Sequence, residues 1–200
     1  MKVLVLHAHP SQTSFVSHMR DVVLDELAAH GHEIRHHDLV AEGFNPAFTA
    51  DERLTHTGDP AEKLQRHPEL RTHVDDLQWC DALVLVYPTW WSGQPAVLKG
   101  WFDRVLMCGV AWRLPEGASR IEPMLTNVRR MTVVTTHGST KWVNALQGEP
   151  GKRTALRSVR LMFGRRCRTS WLAMYGLDRA DIESRVRFER RVRRAVSRLR

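Results

Sequence analysis

The chain is 200 residues long, 42% hydrophobic and 26% charged, ordinary for a globular protein and long enough to bury a substantial core. No apolar run approaches the ~18 residues of a membrane-spanning helix, and the apolar start, residues 1–6, is too short for a signal peptide. A soluble, cytoplasmic single domain over residues 1–200, without stable membrane insertion, is therefore expected. The net charge of +8 is uneven: residues 129–200 hold 17 Arg and 2 Lys against 5 acids, and the rest 8 Arg and 3 Lys against 17 acids. Such a basic third could attract phosphates, nucleic acid or an anionic membrane. With 25 Arg and only 5 Lys in the chain, it reads instead as a solvated, arginine-rich helix face. No recognition motif accompanies the arginines, so no nucleic-acid partner is expected.

Residues 2–6 (KVLVL) form a short β-branched-rich run typical of a buried parallel strand. After a polar loop, Phe15, Met19, Val22, Val23, Leu27 and Ala28 recur at helical spacing up to Gly31, a plausible glycine just past a helix end. Residues 33–39 read as a second strand, residues 40–60 as loop, and residues 61–79 as a helix interrupted at Pro68. Residues 81–87 (DALVLVY) are the clearest strand, apolar enough to be covered on both faces. A helix over 95–107 starts with proline at its first position, and strand four (130–136, RMTVVTT) ends in His137-Gly138-Ser139. A helix within 151–163, a strand over 168–175 and a last helix capped by Asp178 follow. The last helix has the stripe Ile182, Val186, Val192, Val196 and Leu199. This alternation forces a parallel sheet with right-handed crossovers and helices on both faces. Cys80, Cys108 and Cys167 lack metal-ligand spacing and read as reduced, mostly buried thiols.

Open parallel sheets bind ligands beyond the carboxyl ends of their strands, which singles out three loops. The first, residues 7–15 (HAHPSQTSF), lacks GxGxxG, which argues against a dinucleotide grip of the Rossmann kind. It is hydroxyl-rich and runs into a helix N-terminus, an anion site to which Thr13, Ser14 and His9 can add donors. Ordinary N-capping by Thr13 or Ser14 is the competing role. His7 and His9 could pair on a metal, but no third ligand is evident nearby, so no metal is expected. The second loop, residues 87–95 (YPTWWSGQP), places Trp90 and Trp91 beside glycine and proline. At least one of the pair is expected to pack in the core, while a planar ring ligand explains both. The third loop, residues 135–139 (TTHGS), is small enough for main-chain contact with a ligand, and His137 could donate to a developing negative charge.

At LHAHPSQTSF (6–15), YPTWWSGQPAVLKGWFDRVLMCGVAW (87–112) and VVTTHGS (133–139), with NALQG (144–148) as a weaker echo, the sequence resembles the flavodoxin-like NAD(P)H:quinone oxidoreductases. The resemblance covers most of the chain, weakening between 40 and 75 and after 150. It implies a flavodoxin-like α/β fold, a doubly wound five-stranded parallel sheet of order 2-1-3-4-5. It also implies a flavin, FMN or FAD, reduced by NADH or NADPH, that passes hydride in a ping-pong sequence to a quinone or similar small-molecule acceptor, in a homodimer whose second subunit completes the pocket. Carried over by position, His9, Thr13, Ser14 and Phe15 would hold phosphate. Pro88, Thr89, Trp90 and Trp91 would border the ring. Thr135, Thr136, His137, Gly138 and Ser139 would approach its pyrimidine side, with His137 as the catalytic donor. Trp112 would line the acceptor place, and LKGWFDRV would be the helix beneath the pocket. Three departures stand out: Val16 replaces a polar amide of mammalian members, and His137 replaces a glycine common in the family. Asn144 and Pro150 occupy the places of a tyrosine and a histidine proposed to stabilise reduced flavin. That stabilisation would fall to backbone N–H groups or to His137. An electron-transfer flavodoxin, usually acidic with an exposed flavin edge, fits the charge and the tryptophans less well. A flavin-binding regulatory subunit docked on a membrane transporter through the basic C-terminus is the other rival.

Overall fold

The computed structural model describes residues 1–199. Five strands form one parallel sheet: β1 (Lys2–His7), β2 (Glu33–Asp38), β3 (Ala82–Pro88), β6 (Arg130–His137) and β7 (Arg168–Tyr175), in the order β2-β1-β3-β6-β7. Two strands of two residues each, β4 (Trp112–Arg113) and β5 (Glu122–Pro123), make a separate antiparallel ribbon that the sequence reading did not anticipate. They shift the strand numbers away from the expected 2-1-3-4-5.

Alternation along the central strands builds two cores, because successive side chains point to opposite faces. Val3, Val5, Ala82, Val84, Val86 and Val134 meet α1 (Phe15–Ala29) and α8 (Ile182–Val196) on one face. Leu4, Leu6, Leu83, Leu85, Tyr87, Met131 and Val133 meet α4 (Arg71–Trp79) and α5 (Ala96–Val105) on the other. Every residue of β3 is buried, as expected for a strand covered on both sides. Gly31 takes φ +68° just past α1, the left-handed position its identity suggests.

Several boundaries differ from the sequence reading. The stretch 40–60 holds α2 (Ala50–Leu54), closed by a capping box of Thr49 and Glu52. The helix expected over 61–79 is α3 (Pro60–Arg66), a 3₁₀ turn (Pro68–Leu70) and then α4, since Pro68 has no N–H for an α-helical bond. Pro95 is the N-cap of α5 rather than its first residue, and the helix ends at Val105. The helix expected within 151–163 is α7 (Pro150–Arg153) and a π-helical turn (Thr154–Val159), and α6 (Lys141–Leu146), capped by Thr140, precedes it. Asp181, not Asp178, caps α8, accepting from the Ser184 N–H. Of the expected stripe Ile182 and Val186 are exposed, while Phe188 is buried with Val192, Val196 and Leu199. Cys80 and Cys167 are buried and Cys108 half-buried, all three unbridged. Burial pushes the Cys80 thiol up to about 12.

The long segment between β2 and α4 is clamped to α5 by one buried cation. Arg104 donates to Glu52 (2.8 Å), Glu69 (2.6 Å) and the Asn45 carbonyl (2.8 Å). Four residues earlier Gly100 lets Pro46 lie against the helix: a Cβ there would stand 2.4 Å from the Pro46 Cα, Cβ and O. Backbone cannot yield cheaply, so Gly100→Ala is expected to lower unfolding free energy by about 2–3 kcal/mol, the upper part of the overpacking range. Urea unfolding followed by tryptophan fluorescence measures it, and an unshifted midpoint contradicts this close approach.

Candidate active site

The first loop is built from beneath by His7. Its ring is fully buried at the end of β1, with Nδ1 3.1 Å from Asp38 Oδ2 and Nε2 3.2 Å from Ser17 Oγ, which donates to the Ser11 carbonyl (2.7 Å). Burial holds the His7 pKa below its usual value against the pull of Asp38. His7 thus faces the core while His9 lines a cavity, and they do not form a ligand pair. His9 Nδ1 accepts from the Ser11 N–H at 2.9 Å, which leaves Nε2 as its protonated nitrogen. Ser14 is the N-cap of α1, its Oγ accepting from the Ser17 N–H at 3.1 Å. Thr13 is exposed, with Oγ1 3.1 Å from Ser11 Oγ. The N–H groups of Phe15 and Val16, in the first turn of α1, have no partner among the described residues. Both residues line a cavity of about 330 Å³ with His9, Ser14, Pro88, Thr89, Trp90, Thr136 and Gly138.

The second loop folds back on itself. Trp90 and Gly93 exchange two backbone hydrogen bonds (3.1 and 3.0 Å) around a two-residue turn in which Trp91 and Ser92 both take left-handed backbone, φ +48° and +62°. Turns of this hand favour Asn-Gly, so two bulkier residues here hold local strain. The geometry turns both tryptophans outward: Trp90 is 46% exposed and Trp91 wholly so, and neither packs in the core. The turn is held by α6 and α7, through Ser92 Oγ to Gln147 Oε1 (2.7 Å), the Gly151 N–H to the Ser92 carbonyl (2.9 Å) and Gln94 Nε2 to the Gly151 carbonyl (2.7 Å).

The third loop is more enclosed than its composition suggested. Thr135, Thr136 and His137 are buried, while Gly138 and Ser139 are open. Asn144 donates through Nδ2 to Ser139 Oγ (2.9 Å) and the Thr140 carbonyl (2.8 Å), which fixes its Oδ1 as the acceptor for His137 Nδ1 at 2.7 Å. The single N–H of neutral His137 is therefore committed to Asn144, and Nε2 faces Thr89 Oγ1 at 3.3 Å as an acceptor. Burial holds its pKa below the usual value, and its ring stacks on Tyr175 at 4.5 Å. His137 is thus buried and not a free donor, unlike the donor role expected for it. A second cavity, about 220 Å³, is lined by Thr89, Trp91, Ser92, His137, Gly138, Ser139, Asn144 and Gln147, and adjoins the first through Thr89 and Gly138.

The three loops therefore meet, and every expected site residue but three lines one of the two cavities. Thr13 is exposed and lines neither cavity, and Thr135 is fully buried, reaching the site through Thr89 Oγ1 at 3.1 Å. Trp112 is set apart: its Nε1 donates to the Leu106 carbonyl (2.9 Å), and it faces a different cavity, with Phe102, Ile121 and Met162, that shares no lining residue with the two. A further hollow of about 600 Å³ lies beside Arg120, Arg160 and Arg165 and shares no lining residue with the two cavities. Gln147, Leu177 and Asp178 were not expected at the site, and Asn144 was noted only as standing in the place of a tyrosine of the family pattern. Asn144 and Gln147 lie in the weakly matching NALQG segment, and Asp178 drew attention only as a helix cap.

An open parallel sheet with a hydroxyl-rich helix N-terminus and a tryptophan-bearing loop at its carboxyl edge defines a flavodoxin-like protein. The chain belongs to the flavodoxin-like fold family, whose model matches residues 1–199. It is 33% identical over 156 residues to a ribosyldihydronicotinamide dehydrogenase-like protein of Penicillium crustosum, a match covering 69% of this chain and 58% of that one. It is 31% identical over 126 residues to the ribosyldihydronicotinamide dehydrogenase [quinone] of Pongo abelii, covering 57% and 54%. The chain thus spans little more than half the length of these relatives. Among solved structures it is similar to an NAD(P)H:quinone oxidoreductase from Methanothermobacter marburgensis, with TM-score 0.83 and 26% identity over 99% of this chain and 98% of that one. No helix among the described residues is long and apolar enough to cross a membrane.

Asp178 is an acid in the lining of the cavity that holds the free N–H groups, its Oδ2 2.5 Å from where a Cβ on Gly138 would sit. A carboxylate so placed opposes a second anion. Asp178→Asn is expected to tighten a phosphate monoester at α1 by about 1 kcal/mol, roughly fivefold, as for a screened like-charge contact. Fluorescence titration with FMN and with riboflavin reads this out: a gain confined to FMN is the expected result, and equal changes for both remove Asp178 from the phosphate's surroundings.

Proposed function

We propose that this chain is a flavin-dependent NAD(P)H oxidoreductase that hands hydride to a quinone or similar small-molecule acceptor, and that it works as a homodimer. The observation that carries the reading is the pair of joined cavities at the carboxyl ends of β1, β3 and β6. One presents the unpartnered N–H groups of Phe15 and Val16, and the other a rim of exposed tryptophan over a polar floor. A phosphate fits the first, and a flat ring with polar edges fits the second. FMN and FAD both meet that description, as do NADH and NADPH as donors. When bound, the flavin supplies two-electron hydride transfer between nicotinamide and acceptor, each taking the same place in turn.

The chain's own residues position and polarise. Ser14, Thr13 and the first-turn N–H groups of α1 hold the phosphate, with His9 Nε2–H as a further donor. Pro88, Thr89, Trp90 and Trp91 border the ring, and the main chain of Thr136, Gly138 and Ser139 approaches its pyrimidine edge. His137 acts by position: its accepting Nε2 and its bond to Asn144 hold Thr89 and the Ser139 turn in register. The strained turn at Trp91 and Ser92, tied to α6 and α7, presents the wall of the site. Trp112 reaches the acceptor only if a second subunit brings it there, since within one chain it faces another cavity. Exposed Trp91, Trp142 and Leu146 supply apolar surface for such a subunit.

The protein as purified is expected to be yellow, to be bleached by NADH or NADPH and to recolour with a quinone. Thr13→Ala with Ser14→Ala is expected to weaken flavin retention by about 1–3 kcal/mol. A colourless protein that takes up neither FMN nor FAD would overturn the reading. A monomeric mass with full activity would remove the homodimer.

His137→Ala is expected to slow flavin reduction about 10-fold, since misplacing a polar contact to developing charge costs more than about 1.4 kcal/mol. Stopped-flow reduction by the nicotinamide donor, together with the flavin potential, measures it. Unchanged values for both leave His137 a packing residue only.

A further inference from the structure

At the sheet edge away from the two cavities, β2, the loop after it and α4 bring together His37, Glu42, His73 and Asp76. The atoms His37, Glu42 and His73 can offer as ligands all lie within 4.8 Å of one another. His37 Nδ1 stands 3.0 Å from Glu42 Oε2, and His73 Nε2 stands 4.0 Å from the same oxygen. Ligands about 2.0–2.1 Å from a tetrahedral zinc lie roughly 3.4 Å apart, a value these two distances bracket.

Two further features separate this group from an ordinary polar contact. His73 is buried to 7% exposure, yet neither ring nitrogen makes a hydrogen bond among the described residues: Nδ1 has no partner, and 4.0 Å from Nε2 to Glu42 is too long. A buried imidazole without a partner costs stability, and native structures seldom tolerate one without a reason. Its ring lies 4.2 Å from that of His37 and edge-on to Phe44 at 5.0 Å, so packing holds it facing the group. His37 also has the outer partner that metal-bound histidines use: its Nε2 is 2.9 Å from Asp76 Oδ2, and Asp76 is in turn paired with Arg35 at 2.6 Å. Glu42 is the partly exposed member and leaves the group open to solvent on one side.

We infer that His37 Nδ1, Glu42 and His73 Nε2 form a three-ligand site for a zinc-class divalent cation, with Asp76 orienting His37 and water completing the coordination. On binding, the ion takes the place of the proton between His37 Nδ1 and Glu42, and that proton leaves to solvent. His37 keeps its Nε2–H, donated to Asp76 Oδ2. Two imidazoles and one carboxylate suit zinc, cobalt or iron(II) better than calcium or magnesium, which prefer oxygen ligands. The ion would tie the end of β2 to α4 through groups that share no residue with the two cavities at the three loops.

Isothermal titration of the chelator-treated full chain with zinc chloride tests this, with cobalt(II) as the spectroscopic probe. The expected result is about one equivalent of zinc at micromolar affinity or tighter, with proton release, and the intense visible bands of four-coordinate cobalt. Glu42→Gln and His73→Gln are each expected to weaken it by about 10–100-fold, and His30→Gln, at an exposed histidine, to leave it unchanged. Should His73→Gln fail to fold, Glu42→Gln decides, since its side chain is partly exposed. No binding at millimolar zinc, or binding that both site variants leave intact, overturns the site whatever the flavin experiments show.

Discussion

Burial of the central strands on both faces is the constraint on which the rest depends. β1, β3 and β6 carry Val, Leu and Ala into two separate cores, so their side chains have no room for solvent or ligand along most of their length. Polar chemistry can appear only where the strands run out. Most buried polar residues of the central strands lie there: His7 is the last residue of β1, and Thr135, Thr136 and His137 close β6, with Thr132 near the start of β6 the exception. Each is buried because the sheet is still covered there, and each needs a partner because water is already excluded.

Those partners link the three loops into one object. The chain Asp38–His7–Ser17–Ser11 fixes the start of α1 against β2, and the chain Thr89–His137–Asn144–Ser139 fixes β3 against α6. Neither histidine has a proton to spare for a ligand, since each spends its N–H inside the network. What remains available is chiefly main-chain, the first-turn N–H groups of α1 and the open backbone at Gly138, with His9 and the hydroxyls of the first loop beside them. A scaffold that commits side chains to positioning and leaves the backbone for contact suits a cofactor that brings its own chemistry.

The same economy appears away from the site. Arg104 anchors the segment between β2 and α4 with three hydrogen bonds in a buried setting, and Gly100 allows Pro46 to close over α5. That segment bears Glu42 and leads into α4, which bears His73 and Asp76, so the clamp at Arg104 also sets the geometry of the histidine pair at the sheet edge.

The sequence by itself determined the parallel sheet, the two helical layers and the three loops, because those follow from local patterns: apolar runs, helical spacing and glycine at Gly31. Residue type also singled out Trp90, Trp91, Thr89 and Gly138, which tertiary structure does bring to one place. It did not determine where side chains point. Trp90 and Trp91 face outward because of two left-handed residues in a four-residue turn, a conformation their identities disfavour and only the contacts to α6 and α7 sustain. Asn144, seven residues after the end of β6, reaches His137 because α6 is capped at Thr140, where the sequence reads as a plain loop. Asp178 enters the cavity because α8 starts three residues later than its sequence suggests. The grouping of His37, Glu42 and His73 was invisible for the same reason: a strand, a loop and a helix 36 residues apart meet only once β2 has paired with β1 and α4 has packed beneath the sheet. Local periodicity fixes elements, whereas a site is a set of distances between elements, and those are decided by packing.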